Sequence, residues 1–100
     1  MQSRRIEVLA GHLNAPSGPL ITAADIARAL RAGSVEHLDG NSAGRAALLS
    51  MFIEAEPSLI LACTREADAD WRSADALYRQ SLADGLPRVP RWESVVQRWQ

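Results

Sequence analysis

The chain has 100 residues, with 11 basic and 12 acidic side chains and a formal net charge of −1. A chain so close to neutral has no overall field to recruit nucleic acid or an anionic membrane, which argues against a simple polyanion-binding protein. This length allows one modest hydrophobic core. The single cysteine excludes an internal disulfide framework and a zinc site built from cysteines alone, and it fits a reducing, cytoplasmic compartment.

The composition favours helix over sheet. Alanine and leucine account for 17 and 12 residues, whereas the β-branched and aromatic types together number 17. A second helix is predicted between Thr22, which forms a near capping box with Asp25, and Gly33. Before it, a first helix is predicted from an N-cap at Ser3 to about Leu13, because apolar residues recur there at the spacings of one helical face: Ile6, Leu9, Ala10 and Leu13.

The middle of the chain is predicted to hold the buried centre of the domain. Residues 34–41 contain only two apolar anchors and suit one helical turn or a loop. A third helix is predicted from an N-cap at Ser42 to about Glu54. Apolar side chains surround nearly its whole circumference, which is typical of a central, buried helix.

Two further helices are predicted in the second half of the chain. The fourth begins at Pro57 and continues for about six turns to Gly85, with an interruption near Thr64. The last helix follows Pro90 and is strongly amphipathic, with apolar residues at i, i+3, i+4 and i+7: Trp92, Val95, Val96 and Trp99. No repeat or long linker divides the chain, so residues 1–100 are predicted to form a single all-α domain, a compact bundle of about five helices.

Acidic residues are concentrated between positions 51 and 75, where six of them face only two arginines. One interpretation is an acidic surface on the fourth helix that docks a basic partner; the other is an ordinary solvated helix face. A calcium loop also needs a glycine at its bend and a terminal glutamate, and both are missing, so no metal is expected. The candidate partner-binding residues on this surface are Glu66, Asp68, Asp70 and Asp75.

All three tryptophans fall in the final 30 residues, and the last helix combines two of them with arginines. Tryptophan and arginine are over-represented at binding hot spots. The aromatic stripe of this helix either packs on its own domain or projects towards a partner. The candidate partner-binding residues here are Arg91, Trp92, Arg98 and Trp99.

Two segments resemble nucleic-acid-binding patterns. ITAADIARALRAG, residues 21–33, is similar to the first helix of helix-turn-helix repressors, a resemblance that implies a recognition helix directly after it. Residues 34–41 instead bring Glu36 and Asp39, which would repel phosphate. Residues 88–99 interleave basic and aromatic side chains as single-strand binders do, although an acidic residue dilutes the pattern.

The sequence carries no catalytic signature. It has no glycine-rich phosphate loop, no lysine and no serine nucleophile elbow. Cys63 lies in an apolar run and is predicted to be a small hydrophobic side chain rather than a nucleophile. His12 and His37 share no metal-ligand spacing, and they would be the first candidates for a general acid or base, with Glu36 or Asp39, only if the chain were an enzyme.

These observations lead us to expect a non-catalytic protein-interaction module without cofactor, metal or membrane contact. By analogy of size and class, it would be a small inhibitor or adaptor that occludes a site on a larger protein or nucleoprotein assembly, as immunity and phage anti-defence proteins do. The expected partner is another protein, and one with a basic nucleic-acid-binding groove is a candidate. A helix-turn-helix regulator that binds DNA is the alternative, and self-association stays open. The arginine- and alanine-rich, lysine-free composition suggests a GC-rich bacterial or phage source.

Overall fold

A computed structural model describes residues 4–14 and 20–100, and these residues form α-helices without any β-strand. The predicted all-α class is confirmed, although seven α-helices replace the expected five. The predicted N-cap at Ser3 lies outside the described residues. One 3-10 helix, Glu36–Leu38, lies between the second and third α-helices. The α-helices are α1 (Arg4–Asn14), α2 (Ala23–Ala32), α3 (Ser42–Leu49), α4 (Met51–Glu54), α5 (Pro57–Glu66), α6 (Trp71–Ala83) and α7 (Pro90–Trp99).

Helix α2 begins and ends where the sequence predicts. The Asp25 amide donates to the Thr22 hydroxyl at 3.1 Å, and the Thr22 amide donates to the Asp25 carboxylate at 3.0 Å. This reciprocal capping box satisfies two amides that have no partner within the helix. At the other end, Gly33 adopts the left-handed conformation and donates its amide to Ala29 at 2.7 Å.

The predicted third helix is divided at Ser50, and its N-cap was assigned one residue too late. Asn41 is the N-cap of α3: its side chain accepts from the Gly44 amide at 3.0 Å and donates to the Leu20 carbonyl at 2.7 Å. Ser42 is already inside the helix. The Ser50 hydroxyl donates to the Ala47 carbonyl at 2.8 Å, and this local bond competes with continuous helix at the junction of α3 and α4.

The predicted fourth helix is divided into α5 and α6, because the chain turns after Glu66 and begins again at Trp71. The predicted interruption near Thr64 thus lies a few residues before the observed break. Asp68 has a φ of 59°, and two hydrogen bonds close the end of α5: Asp68 N–H to Arg65 at 3.0 Å and Ala69 N–H to Thr64 at 3.0 Å. This is a Schellman motif with aspartate where glycine is usual. Asp70 then caps α6 by accepting the Arg72 amide at 2.8 Å.

The buried apolar side chains of all seven helices belong to one cluster. Helix α5 lies at its centre, in contact with α1, α2, α4, α6 and α7. The third helix was expected in that position. It is not central because Ala43 and Ala46 of α3 face solvent, and only one side of the helix packs inward.

Helix α7 packs on its own domain through Trp92, which is completely buried. The Trp92 ring lies edge-on against Phe52, with centroids 4.9 Å apart, and its indole N–H donates to the Asp75 carboxylate at 3.0 Å. One turn earlier, the Val89 amide donates to the Tyr78 hydroxyl at 2.9 Å. Of the two interpretations of the last helix, packing on its own core is therefore correct for its first two turns.

Removing residues 88–100 should unfold the domain. The deletion exposes the aromatic cluster and leaves Asp75 buried without its indole donor. Truncating one buried tryptophan costs about 3–5 kcal/mol, which is already a large share of the ~5–15 kcal/mol that stabilises a small domain. Far-ultraviolet circular dichroism and urea unfolding should show loss of helix and of cooperativity. A truncated chain with native helicity would contradict this account of α7.

Two glycines in helices should respond oppositely to alanine. A Cβ at Gly44 would lie 2.7 Å from the Leu20 carbonyl oxygen, a backbone atom, whereas a Cβ at Gly11 meets nothing within 4 Å. We expect Gly44→Ala to destabilise the domain by about 1–3 kcal/mol through overpacking. Gly11→Ala should stabilise it by up to about 1 kcal/mol through helix propensity. Urea denaturation of both variants measures the difference, and equal effects would show that the close approach at Gly44 is absent.

Candidate functional site

The acidic residues predicted to form one docking surface are mostly engaged within the domain. The Glu66 carboxylate accepts the Arg5 amide at 3.1 Å and the Ile6 amide at 3.2 Å, so it closes the first turn of α1. Asp70 is the N-cap of α6. Asp75 is 7% exposed and accepts from Trp92 and, at 3.1 Å, from Arg79. The structure therefore does not bring these carboxylates together as a solvent-facing patch.

Asp68 is the member of the acidic group that is exposed and makes no side-chain hydrogen bond or ion pair among the described residues. It lies in the loop between α5 and α6 rather than on a helix face. The local charge excess has a structural explanation: carboxylates satisfy backbone amides at helix N-termini, where negative charge is also favoured by the helix dipole. One free carboxylate in a loop is a weak basis for docking.

The two tryptophans of α7 have opposite environments, although they lie on the same helical face. Trp92 is buried, whereas Trp99 is 51% exposed. Seven residues are close to two helical turns, so both rings point the same way. Because α7 continues past the edge of the core, the ring of Trp99 remains half in solvent.

The arginines of α7 also divide into one structural and one free side chain. Arg91 donates to the Ile53 carbonyl at 2.7 Å and to the Ala55 carbonyl at 3.3 Å, and it pairs with the exposed Glu56 at 3.5 Å. It satisfies carbonyls at the end of α4 that have no helical partner. Arg98 is exposed and forms no ion pair within the described part of the chain.

Trp99 and Trp71 line a cavity of about 240 Å³ over the C-terminal half of α5. We call it the Trp groove. Its wall is largely apolar, with charged side chains from Arg65 and Asp70. The residues that line it are Leu61, Thr64, Arg65, Ala69, Asp70, Trp71 and Trp99. Of the predicted binding residues, the structure thus brings Asp70 and Trp99 together.

The apolar periodicity of residues 60–82 predicts that Trp71 lies within a long helix, and it does not indicate a place in the groove. Trp71 is instead the first residue of α6, directly after the Asp70 cap. A residue in the first turn lies at the edge of the bundle, and Trp71 is only partly buried. An aspartate immediately before a helical stripe was the available signal, because aspartate is a preferred N-cap.

The positive charge at the groove is incompletely balanced. Asp70 pairs with Arg72 at 3.2 Å, and the Arg72 guanidinium lies 5.0 Å from the centroid of the Trp71 ring, within cation–π range. Arg65 is exposed and has no acidic partner among the residues that the structure describes. One arginine next to an open apolar groove therefore remains available.

Two other cavities have charged side chains that already have partners. One, of about 310 Å³, lies between α6 and α7 and contains the Asp75 and Glu93 carboxylates. Asp75 accepts from Trp92, and Glu93 accepts from Tyr78 and Arg88. The other, of about 400 Å³, lies beside Ile53 and residues 87–91. It contains two arginines that already have partners: Arg88 donates to Glu93, and Arg91 donates to the Ile53 carbonyl.

The candidate catalytic side chains do not converge. His12 is exposed on α1, and the Nε2 atom of His37 lies 3.1 Å from the Asp25 carbonyl oxygen, which requires the ring to donate. Cys63 is completely buried, and this burial raises the pKa of its thiol to about 12. The thiol is therefore uncharged near neutral pH, consistent with its predicted hydrophobic role. Within residues 4–14 and 20–100 no three potential metal-binding side chains are grouped, and no helix is sufficiently long and apolar to cross a membrane.

The segment that resembles a helix-turn-helix start does not continue as one. Helix α2 is followed by the short 3-10 helix, and α3 begins only at Ser42. Helix α3 offers little to read bases: Ala43 and Ala46 are exposed, and Arg45 is held by Asp84 at 2.8 Å. A recognition helix needs exposed polar side chains on its groove-facing side.

Comparison with models of protein families, with curated proteins and with solved structures found no match to this chain. The groove and its charges are therefore the observations from which a function is inferred.

Stability should fall in acid because of Glu93, which holds the start of α7. Arg88 donates to this carboxylate at 2.7 and 3.1 Å and Tyr78 donates to it as well, and these bonds lower the pKa of Glu93 from 4.5 to about 2. The stabilisation is present above pH 4.5, the pKa expected in the unfolded chain, and is lost as the pH falls from there towards 2. Urea midpoints across this range should decrease more steeply for the wild type than for Glu93→Gln. Parallel curves would exclude this role of Glu93.

Proposed function

We propose that this chain is a non-catalytic protein-interaction module that docks a larger protein through the Trp groove and acts by occlusion or adaptation. The observation that carries the proposal is the half-exposed Trp99, which faces Trp71 across an open apolar cavity. Tryptophan at the edge of a cavity is a typical interface anchor, because its ring supplies a large contact area with few rotatable bonds.

The energetics of covering the groove are favourable. The exposed half of a tryptophan side chain is on the order of 100 Å², and burial of apolar area yields about 25 cal/mol per Å², so covering Trp99 contributes ~2–3 kcal/mol. The cavity beneath it offers further apolar area from Leu61 and Ala69. Arg65 at the groove adds an unpaired guanidinium group, whose planar set of donors matches a carboxylate. These features together suit the centre of a small interface.

The acidic-surface version of the proposal has less support. Glu66, Asp70 and Asp75 already accept hydrogen bonds inside the domain, so using them for a partner would first break those bonds. We therefore place the docking surface on the Trp groove and do not assign the partner a basic nucleic-acid-binding groove. The DNA-binding alternative gains no observation in its favour, since α3 presents alanines where base-reading side chains are needed.

Replacing Trp99 should abolish partner capture without unfolding the domain. Tagged wild-type chain, Trp99→Ala and a control variant, Val8→Ala, would be used to capture proteins from nuclease-treated lysate of the host. Val8 is the matched control because it is an exposed apolar side chain, 46% exposed, on α1, none of whose residues lines the groove. We expect a stoichiometric protein that binds the wild type and Val8→Ala, and binds Trp99→Ala at least about 30-fold more weakly, as for a hot-spot residue.

The same experiment separates the alternatives. Asp68→Asn removes the free carboxylate but keeps a residue that tolerates a positive φ, and it should bind like the wild type. Weaker capture by Asp68→Asn with unchanged capture by Trp99→Ala would move the docking surface to the acidic loop. Recovery of nuclease-sensitive nucleic acid without any stoichiometric protein would refute the interaction-module proposal. Thermal unfolding of each variant checks that the domain stays folded.

A further inference from the structure

The chemistry of the partner can be inferred from the charges around the Trp groove, and this inference rests on the proposed function. Asp70 is the acidic side chain that lines the groove, and Arg72 neutralises it at 3.2 Å. Glu66, at the end of α5, is turned towards the α1 amides. Asp68 is exposed in the adjoining loop but does not line the groove.

One arginine that lines the groove is not neutralised in the same way. Arg65 is exposed and forms no ion pair with any acidic side chain in residues 4–14 and 20–100. The uncompensated charge among the side chains that line the cavity is therefore positive. A basic partner segment would be repelled here, and a carboxylate would gain a bidentate partner in Arg65.

The size of the groove indicates what enters it. At about 240 Å³ it is smaller than the ~300–1,000 Å³ typical of small-molecule sites, and it lies open at the surface. One aliphatic or aromatic side chain, presented by a larger molecule, suits this volume. The faces of Trp71 and Trp99 and the side chain of Leu61 would cover it.

We propose that the Trp groove binds a partner segment in which an apolar side chain is flanked by acidic residues. The apolar side chain fills the cavity between Trp71 and Trp99, and a neighbouring carboxylate pairs with Arg65. The groove thus selects acidic, apolar protein segments and rejects basic ones.

Three short peptides test this selectivity directly on the full chain. They are acetylated and amidated Gly-Ser-Glu-Leu-Glu-Ser-Gly, its basic counterpart Gly-Ser-Lys-Leu-Lys-Ser-Gly, and Gly-Ser-Glu-Gly-Glu-Ser-Gly, which lacks the apolar side chain. Each would be titrated into ¹⁵N-labelled protein while the three indole N–H signals are followed by NMR. Trp71→Phe and Trp99→Phe assign those signals. Trp92 is an internal control, because its indole is bonded to Asp75 within the core.

We expect the acidic leucine peptide to shift the Trp71 and Trp99 signals saturably and to leave the Trp92 signal in place. The basic peptide and the peptide without leucine should have weaker effects by about tenfold or more. Arg65→Glu should reverse the preference in favour of the basic peptide. Arg28→Glu is the matched control, because Arg28 is an exposed arginine without an ion pair on α2, and it should leave the preference unchanged.

Equal or tighter binding of the basic peptide would overturn the inferred chemistry, as would failure of all three peptides to move the Trp71 and Trp99 signals. Neither result refutes the proposed function if Trp99→Ala still loses its protein partner in the capture experiment. Capture that is insensitive to Trp99→Ala refutes the proposed function itself.

Discussion

The hydrogen bond from the Trp92 indole to the Asp75 carboxylate is the interaction on which the second half of the molecule depends. It allows the largest side chain of the core and an ionisable group to be buried together, and Arg79 balances the charge at 3.1 Å from the other carboxylate oxygen. A buried donor or acceptor without a partner would cost about 1–3 kcal/mol, so each group needs the other. Because this bond holds α7 against α6, it also fixes the position of Trp99 at the edge of the bundle. The candidate site is thus a consequence of core packing two turns away.

Several carboxylates of this domain are engaged within it. They close helix ends and satisfy buried donors, as Glu66 does for α1 and Asp70 for α6. Although the formal net charge of the chain is −1, the charged side chain that lines the groove without an ion pair among the described residues is Arg65. The number of acidic residues in a segment therefore does not predict where a partner docks. A carboxylate that already accepts hydrogen bonds from two backbone amides is less available to bind a partner.

Local signals in the sequence were sufficient for much of the fold. The Thr22 capping box and the left-handed Gly85 mark helix ends as predicted, since short-range chemistry determines both. An interruption is predicted near Thr64, but the exact end of α5 is not, because Asp68 adopts a conformation that usually requires glycine. The role of Glu66 in closing the first turn of α1 could not be predicted either, because the amides that donate to it lie 61 and 60 residues away in sequence. Long-range pairing of this kind is set by how α1 packs on α5, which no local pattern encodes.

The candidate site is another feature that local sequence patterns do not predict. Trp92 and Trp99 occupy equivalent positions of one amphipathic stripe, and periodicity alone assigns them the same environment. Their burial differs because the last turn of α7 extends beyond the surface that receives its first two turns, a property of the assembled bundle. The sequence indicated that tryptophan and arginine of the last helix were candidates for binding; only the packing separates Trp92, which holds the helix, from Trp99, which is left half exposed. Trp99 is a large apolar side chain held half in water, beside an open cavity and an unpaired arginine. Covering it with a partner would lower the free energy, and this is the reason to assign function to this end of α7.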